Sequence, residues 1–517
     1  MEKIHILWAD DEIDLLKPHI IFLREKGYNL YTTTNGADAL DIIRNSKLDI
    51  VFLDENMPGI SGLETLIIIK NEFPNLPVVM ITKSEEEHIM EEAIGSKIAD
   101  YLIKPVNPNQ ILLCLKKNLE HKRLISEKSS ISYQQEFRQI SMDKSSRLNF
   151  KEWVAVYKKI IYWELELKSS EDEGIREILK MQKNEANNVF AKFYESQYIN
   201  WLNGKSELKP LMSHTLLKEK ILPLLSPNKP VFLIVVDNLR YDQWKVLQPI
   251  IENYYHTTTD DIYYSIIPSA TQFSRNSFFA GLLPSEIHKK YPQYWVDEDE
   301  EGLKNNFEEQ LLIEQLKRYG KNLKTSFHKV LNLSYGKKIL EWLPNFMKND
   351  LNVIVYNFID MLSHARTDTD IIRELADDEP AYRSLTLSWF EHSPLLEILK
   401  YLSEKDITVV ITTDHGSVKV VDPVKVIGDR NTSTNLRYKT GKSLDFEAKK
   451  VFEIRNPEAA FLPKINMSSN YIFCRGTDFF AYPNNYNNYV NYYKNTFQHG
   501  GISLEEILIP FIVLEPK

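Results

Sequence analysis

The sequence predicts an α/β protein in three parts: an N-terminal doubly wound parallel sheet, a run of long helices, and a second, larger α/β domain. Three observations carry this. Strand-like and helix-like segments alternate five times over residues 1–124. Turn signals then thin out, and apolar residues recur at helical spacing over 125–226. From 227 to 517, continuous apolar runs bounded by polar clusters read as buried strands, and several deliver an acid or a histidine at their ends.

Composition agrees with that partition. A chain of 517 residues is too long for one core. With 43% hydrophobic and 26% charged residues it is globular, and its net charge of −9 argues against broad attraction to nucleic acid. Cys114 and Cys474 are the only cysteines, which fits a reducing compartment and offers no disulfide framework. No signal-peptide pattern opens the chain, and no apolar run reaches the roughly 18 residues of a membrane span. A cytoplasmic protein without membrane insertion is expected.

In the first part, strands are expected at Ile4–Ala9, Asn29–Thr33, Asp49–Leu53, Pro77–Thr82 and Asp100–Ile103, with helices such as Ala37–Arg44 and Gly62–Asn71 between them. Pro18 falls inside the first helix and should bend or break it. Asp10 and Asp11 follow the first strand, Asp54 ends the third, Thr82 the fourth, and Lys104-Pro105 the fifth. Carboxylates gathered at one sheet edge repel unless a cation separates them, and a hard oxygen site of this kind suits Mg²⁺. Asp54 could then attack a phosphoryl group as a nucleophile, with Lys104 and Thr82 contacting its oxygens. Taken singly, each of these residues reads as readily as a helix cap or turn acid. Together, Ala9-Asp10-Asp11-Glu12, Asp54-Glu55-Asn56-Met57-Pro58-Gly59, Thr82 and Asp100-Tyr101-Leu102-Ile103-Lys104-Pro105 resemble a two-component receiver domain of flavodoxin-like (βα)5 fold. The resemblance implies that Asp54 accepts phosphate from a cognate sensor histidine kinase. It also implies that the Asn56 carbonyl completes a Mg²⁺ shell with Asp10, Asp11 and Asp54, and that Thr82 and Tyr101 move together as a switch. Lys83 stands where a small residue is commoner, and should alter access to the phosphate.

In the middle part, Ile131–Ile140, Trp153–Leu167 and Ile175–Phe193 carry helical periodicity. Trp153, Tyr157, Tyr162 and Trp163 could stack on bases, but no Lys/Arg stripe accompanies them and no DNA-reading helix stands out. They read as the core of a helical-bundle connector, and direct duplex DNA binding is not expected. Gly204-Lys205-Ser206 and the stretch from Pro223 to Pro230 read as joints.

In the last part, Val231–Val236 ends in Asp237-Asn238, and Leu351–Ile359 ends in Asp360 with His364 one helical turn on. Val409–Thr413 ends in Asp414-His415-Gly416, and His499-Gly500-Gly501 precedes the closing apolar strand. Thr271 opens a helical stretch that runs to Gly281, where backbone N–H groups favour an anion, although Ser269 and Ser274 could equally be drawn as nucleophiles. Each acid or histidine alone could be a cap or a core residue, and His214, His256, His288 and His392 read as structural. As a set, these ligands match what two zinc ions need.

This constellation resembles the alkaline phosphatase superfamily through Asp360-Met361-Leu362-Ser363-His364, Thr413-Asp414-His415-Gly416, and Thr271 followed by Gly281-Leu282-Leu283-Pro284-Ser285-Glu286-Ile287-His288. Asp237-Asn238-Leu239-Arg240-Tyr241-Asp242 is similar to the opening of a PglZ domain. The resemblance implies one Zn²⁺ on Asp237, Asp414, His415 and the Thr271 oxygen, and a second on Asp360, His364 and His499. Thr271 would be the nucleophile of a phosphodiesterase, with Arg275 or Asn276 contacting the substrate phosphate.

Receiver (1–124), connector (125–226) and PglZ domain (227–517) in this order resemble PorX-type response regulators associated with type IX secretion. That implies a homodimer on phosphorylation, contact with a sigma factor, and a small nucleotide or oligonucleotide substrate. The competing expectation is a zinc-stabilised interaction adaptor that is switched by phosphorylation and hydrolyses nothing.

Overall fold

The computed structural model describes residues 4–74, 76–82, 98–115, 133, 148–167, 173–226, 229–297, 304–376, 378–428, 432–464 and 469–517. The chain divides into two compact units, Met1–Gln134 and Gln135–Lys517.

The first unit is a five-stranded parallel sheet built from β1 (His5–Ala9), β2 (Asn29–Thr33), β3 (Ile50–Asp54), β4 (Val78–Thr82) and β5 (Asp100–Ile103). Its order is β2-β1-β3-β4-β5, all pairings parallel. Apolar residues fill β3 and β4 on both faces because each face is covered: one by the cluster containing Ile6, Trp8, Phe52 and Ile111, the other by that containing Leu7, Leu53, Leu66 and Met80. The expected strands lie within a residue of these bounds. The first helix is in two pieces, and Pro18 stands at the start of the second rather than breaking it. A 3-10 turn (Ile13–Leu16) precedes an α-helix (Lys17–Glu25), and Pro18 falls in its first turn, where a missing N–H costs nothing. Gly62 must be glycine, since a Cβ there would lie 2.1 Å from the Asp54 carbonyl oxygen. Lys83 lies outside the described residues, as does Ile131–Ile140 apart from Tyr133.

The second unit begins at Gln135, ten residues into the expected connector, and holds the rest of it together with the C-terminal α/β domain. Its main sheet contains β6 (Val231–Val236), β7 (Tyr255–Tyr264), β8 (Thr325–Val330), β9 (Leu351–Tyr356), β10 (Thr408–Thr412) and the closing strand Leu508–Pro516. The order is β7, closing strand, β10, β6, β9, β8. Four neighbours run parallel, whereas the closing strand is antiparallel to β10 with Thr412 opposite Phe511. That reversal puts the start of the closing strand beside the carboxyl ends of β6, β9 and β10, so the segment preceding it reaches the same edge. β6, β9 and β10 are buried at every position.

The connector helices are Phe150–Glu166 and Glu173–Leu202. A reciprocal cap starts the first: Asn149 accepts from the Lys151 and Glu152 amides, and Glu152 accepts from the Asn149 amide. Trp153, Tyr157 and Trp163 are buried as the bundle-core reading requires, and Tyr162 is 54% exposed. Trp153 packs on Phe190 and Phe193 with ring centroids 5.4 and 6.0 Å away. The Tyr194 hydroxyl donates to the Ser265 carbonyl (2.8 Å), tying the long helix to the segment after β7. Gly204 ends that helix with a positive φ of 65°.

Candidate functional site

At the carboxyl edge of the first sheet, Asp10 and Asp54 are buried and Asp11 is exposed. One carboxylate oxygen from each lies within 4.8 Å of the others. Lys104 Nζ bridges two of them, 3.0 Å from Asp10 Oδ2 and 3.0 Å from Asp54 Oδ1. Burial raises the Asp54 carboxyl to about 6; Lys104 opposes this and Asp10 adds to it. Three acids crowded so closely favour a divalent cation. Asn56 is exposed on the loop after β3. Thr82 is buried and donates its hydroxyl to Glu55, while Tyr101 is half-buried against the core.

Two further triads form at the carboxyl edge of the second sheet. Asp237, Asp414 and His415 offer ligand atoms within 4.8 Å of one another, and so do Asp360, His364 and His499. The imidazoles of His415 and His499 stack with centroids 4.2 Å apart, so the triads adjoin.

Local structure explains each placement. Asp237 follows the last residue of β6, and its amide donates to the Tyr356 carbonyl of β9 (2.8 Å). Asp360 is not at a strand tip as expected. β9 stops at Tyr356, and a helix from Phe358 to Asp368 carries both Asp360 and His364, which therefore share a face (His364 Nε2 to Asp360 Oδ2, 3.5 Å). His499 Nε2 reaches Asp360 Oδ1 at 3.5 Å. The turn carrying Asp414 and His415 is fixed by the Thr413 hydroxyl donating to the His415 carbonyl (2.8 Å) and the Ser265 hydroxyl donating to the Asp414 carbonyl (2.9 Å). A Cβ at Gly416 would lie 2.1 Å from the Glu505 carbonyl oxygen, so only glycine fits the turn. His415 Nδ1 donates to the Gly416 carbonyl (3.2 Å), which turns Nε2 toward Asp237, Asp414 and Thr271.

Thr271 is the first residue of the helix Thr271–Ala280, and its Oγ1 lies 3.1 Å from His415 Nε2. The alternative hydroxyls are engaged elsewhere: Ser269 donates to the Gly501 carbonyl (2.8 Å) and Ser274 to the Ala270 carbonyl (2.9 Å), both fully buried. Gly281 ends the helix in the left-handed region at φ 58°.

The electrostatics suit cations. Burial and then Asp237 push the Asp414 carboxyl up to about 6, and burial and Asp237 likewise raise Asp360. Burial would also raise Asp237, but Arg275 and then His415 hold it below the usual range. His415 is raised: burial opposes, and Asp414, Asp237 and Asp360 prevail. Burial, then His415 and His364, holds His499 well below the usual imidazole value, so its ring is neutral and free to ligate. Asp237 Oδ1 and Asp414 Oδ2 are buried and accept no hydrogen bond among the described residues. Hard carboxylate oxygens plus imidazole nitrogens, with two buried oxygens that accept no hydrogen bond among the described residues, fit divalent metal ions.

Two expected substrate contacts lie elsewhere than at an open face. Arg275 is fully buried against Asp237 (2.6 Å) and Glu308 (2.6 Å), and Asn276 donates to the Lys304 carbonyl (3.1 Å). One residue quoted in the motifs had been given no role of its own. Asn238 sits in the left-handed region at φ 66° and donates from Nδ2 to Asp360 Oδ1 (3.4 Å) and Ser363 Oγ (3.3 Å), linking the two triads. Asparagine tolerates that backbone conformation, which is the one clue the Asp-Asn pair offered. A fourth acidic group, Glu164, Asp242 and Glu379, is already filled by Lys183, Arg240 and Arg383.

Comparison with known proteins gives three family matches in the order the motifs implied. The profile of the response regulator receiver domain matches residues 6–116, that of the PorX response regulator linker domain 123–202, and that of the BREX system PglZ alkaline phosphatase-like domain 216–514. Among curated relatives, the transcriptional regulatory protein ZraR of Klebsiella oxytoca is 36% identical over 123 residues, 24% of this chain and 28% of that protein. The response regulator SaeR of Staphylococcus aureus is 27% identical over 152 residues, 29% of this chain and 63% of that protein. The chain thus spans less than two thirds of each. A solved CheY-like receiver domain from Methanospirillum hungatei JF-1 aligns at 23% identity with a TM-score of 0.23, covering 23% of this chain and 96% of that one. Receiver and alkaline phosphatase-like domains generally use divalent metals. No described helix is long and apolar enough to cross a membrane.

Proposed function

Because the chain belongs to the PglZ alkaline phosphatase-like family, with a receiver and a PorX-type linker ahead of that domain, we propose that it is a response regulator whose phosphorylation on Asp54 controls a zinc-dependent phosphodiesterase. Its substrate would be a nucleotide or oligonucleotide phosphodiester, in signalling linked to type IX secretion. The observation that carries this reading is the pair of adjoining triads with the Thr271 hydroxyl 3.1 Å from His415 Nε2.

Asp237, Asp414, His415 and the Thr271 oxygen would hold one Zn²⁺, and Asp360, His364 and His499 the other. Two ions so held supply Lewis acidity, lowering the pKa of the attacking hydroxyl and neutralising charge on the phosphoryl oxygens. Thr271 Oγ would attack phosphorus as its proton is lost to solvent, one alcohol would leave from the opposite side taking up a proton, and water would then cleave the phosphothreonine diester to release the phosphate monoester and restore the threonine hydroxyl. The first-turn N–H groups of the helix Thr271–Ala280 favour the anionic ester in that position. Metal-dependent turnover is tested with a chromogenic phosphodiester on the full chain: chelation should abolish it and added Zn²⁺ should restore it. Hydrolysis that survives complete removal of metal sinks the reading. Zinc-dependent stability without any turnover would leave the adaptor alternative.

In the receiver, Asp10, Asp11, Asp54 and the Asn56 carbonyl would hold Mg²⁺, with Lys104 and Thr82 receiving the phosphoryl oxygens and Tyr101 following Thr82. Asp54→Ala should take up no label from a radiolabelled small-molecule phosphodonor. Undiminished labelling would move the acceptor elsewhere. Control would pass through the connector's ion pairs within the larger unit. Lys183 on the long connector helix meets Glu379 (3.1 Å), which also meets Arg240 (3.2 Å), three residues after Asp237. Dimerisation on phosphorylation and contact with a sigma factor complete the proposal.

A further inference from the structure

We infer that Arg275 and Glu308 are positioning residues for the triad of Asp237, Asp414 and His415, with Glu308 neutralising the guanidinium that clamps Asp237 so that the triad can accept a divalent cation. This rests on the metal-dependent reading above.

Arg275 lies one helical turn beyond Thr271 and has no exposed surface. Its Nη1 is 2.6 Å from Asp237 Oδ2 and 3.7 Å from Asp414 Oδ2. Asp237 is thereby held by one oxygen, and the other, Oδ1, is left 3.6 Å from His415 Nε2 without a hydrogen bond. A carboxylate fixed through one oxygen with its second oxygen facing the cluster is what a ligand needs from its supporting residues. The difficulty is charge. A buried guanidinium touching two carboxylates competes with any cation for both of them and repels it.

Glu308 answers that difficulty. It opens the helix Glu308–Arg318, is fully buried, and places Oε1 2.6 Å from Arg275 Nε and Oε2 2.9 Å from Lys329 Nζ. The line Lys329, Glu308, Arg275, Asp237 alternates in sign, so the guanidinium has an acid on each side. Without the Glu308 charge, Arg275 would draw harder on Asp237 and Asp414 and withdraw both from the cation. A role confined to packing would instead lower stability and leave the metal affinity of the folded chain unchanged.

The test is a titration of Zn²⁺ alone into the metal-free full chain, in competition with a chromophoric chelator. With excess Mg²⁺ present to occupy the receiver carboxylates, the wild-type chain should take two Zn²⁺ ions. Glu308→Gln, which keeps the shape and removes the charge, should weaken one site by about 10- to 100-fold and leave the other unchanged. Glu308→Asp, which retains the charge, should recover most of that loss. Circular dichroism of the metal-free variants verifies the fold. Should the glutamine variant fail to fold, Arg275→Lys carries the test: it keeps a charge but cannot span Asp237 and Glu308, so the same single site should weaken. Unchanged affinity in a folded variant, or equal weakening of both sites, overturns the inference while the metal-dependent reading stands. If the wild-type chain takes up no Zn²⁺, both fail.

Discussion

Replacing Thr271 by alanine should reduce kcat for a chromogenic phosphodiester by a factor on the order of 10³ or more, with the fold and zinc content retained. Each tenfold loss corresponds to about 1.4 kcal/mol of transition-state stabilisation, so the expected effect exceeds about 4 kcal/mol. The argument is one of access as well as chemistry. Three hydroxyls lie in the segment from Ser269 to Ser274, and two of them are buried and donate to backbone carbonyls. Only the Thr271 hydroxyl approaches a triad nitrogen, and it does so from the first turn of a helix that favours the anionic substrate. Asp237, Asp414 and His415 remain after the substitution, which is why metal should stay while turnover is lost. Thr271→Ser preserves the nucleophile and should keep substantial activity. Full metal-dependent turnover in the alanine variant would show that the attacking group is not Thr271.

What the sequence made legible here has a physical basis. Val231–Val236 and Val409–Thr412 are buried on both faces, so their apolar character is continuous and their ends are marked by the first acid that follows. Asp237, Asp414 and His415 could therefore be placed at one edge before any coordinates. Asp360 was displaced from that pattern because apolar Phe358 and Ile359 extend the run while the backbone has already turned into a helix. Glu308 and Lys329 gave no signal. An acid in the first turn of a helix is commonplace, and its importance comes from Arg275, which is remote in sequence. The same holds for Asn187, which accepts from the Leu504 amide (2.6 Å) and donates to Glu505 (3.1 Å): only the folded chain brings a connector residue against the segment after His499. Pairings across hundreds of residues carry no periodicity and no spacing rule.

The largest stability effect should come from such a pairing, at Lys183. Its side chain is 6% exposed and its ammonium contacts Glu164 (3.1 Å), Glu379 (3.1 Å) and Glu505 (3.0 Å), joining both connector helices to the C-terminal domain. Burial alone would lower its pKa, yet the three glutamates hold it well above the usual lysine value, so the cation is what the site demands. Arg240 and Arg383 pair with Asp242, Arg240 also meets Glu379 (3.2 Å) and Arg383 stands 3.9 Å from Glu164, whereas Glu505 meets no described cation but Lys183. Lys183→Met keeps much of the volume and removes the charge, leaving the buried Glu505 without a cation and Glu164 and Glu379 with only their arginines, which costs about 3–5 kcal/mol. The expected result is a lowered urea midpoint for the larger unit, followed by tryptophan fluorescence. Combining the substitution with Glu379→Gln and Glu164→Gln should recover part of the loss, because an apolar or neutral replacement of a whole buried group costs less than removal of one member. An unchanged midpoint in Lys183→Met would mean that water reaches the glutamates and that the network contributes little to holding the connector in place.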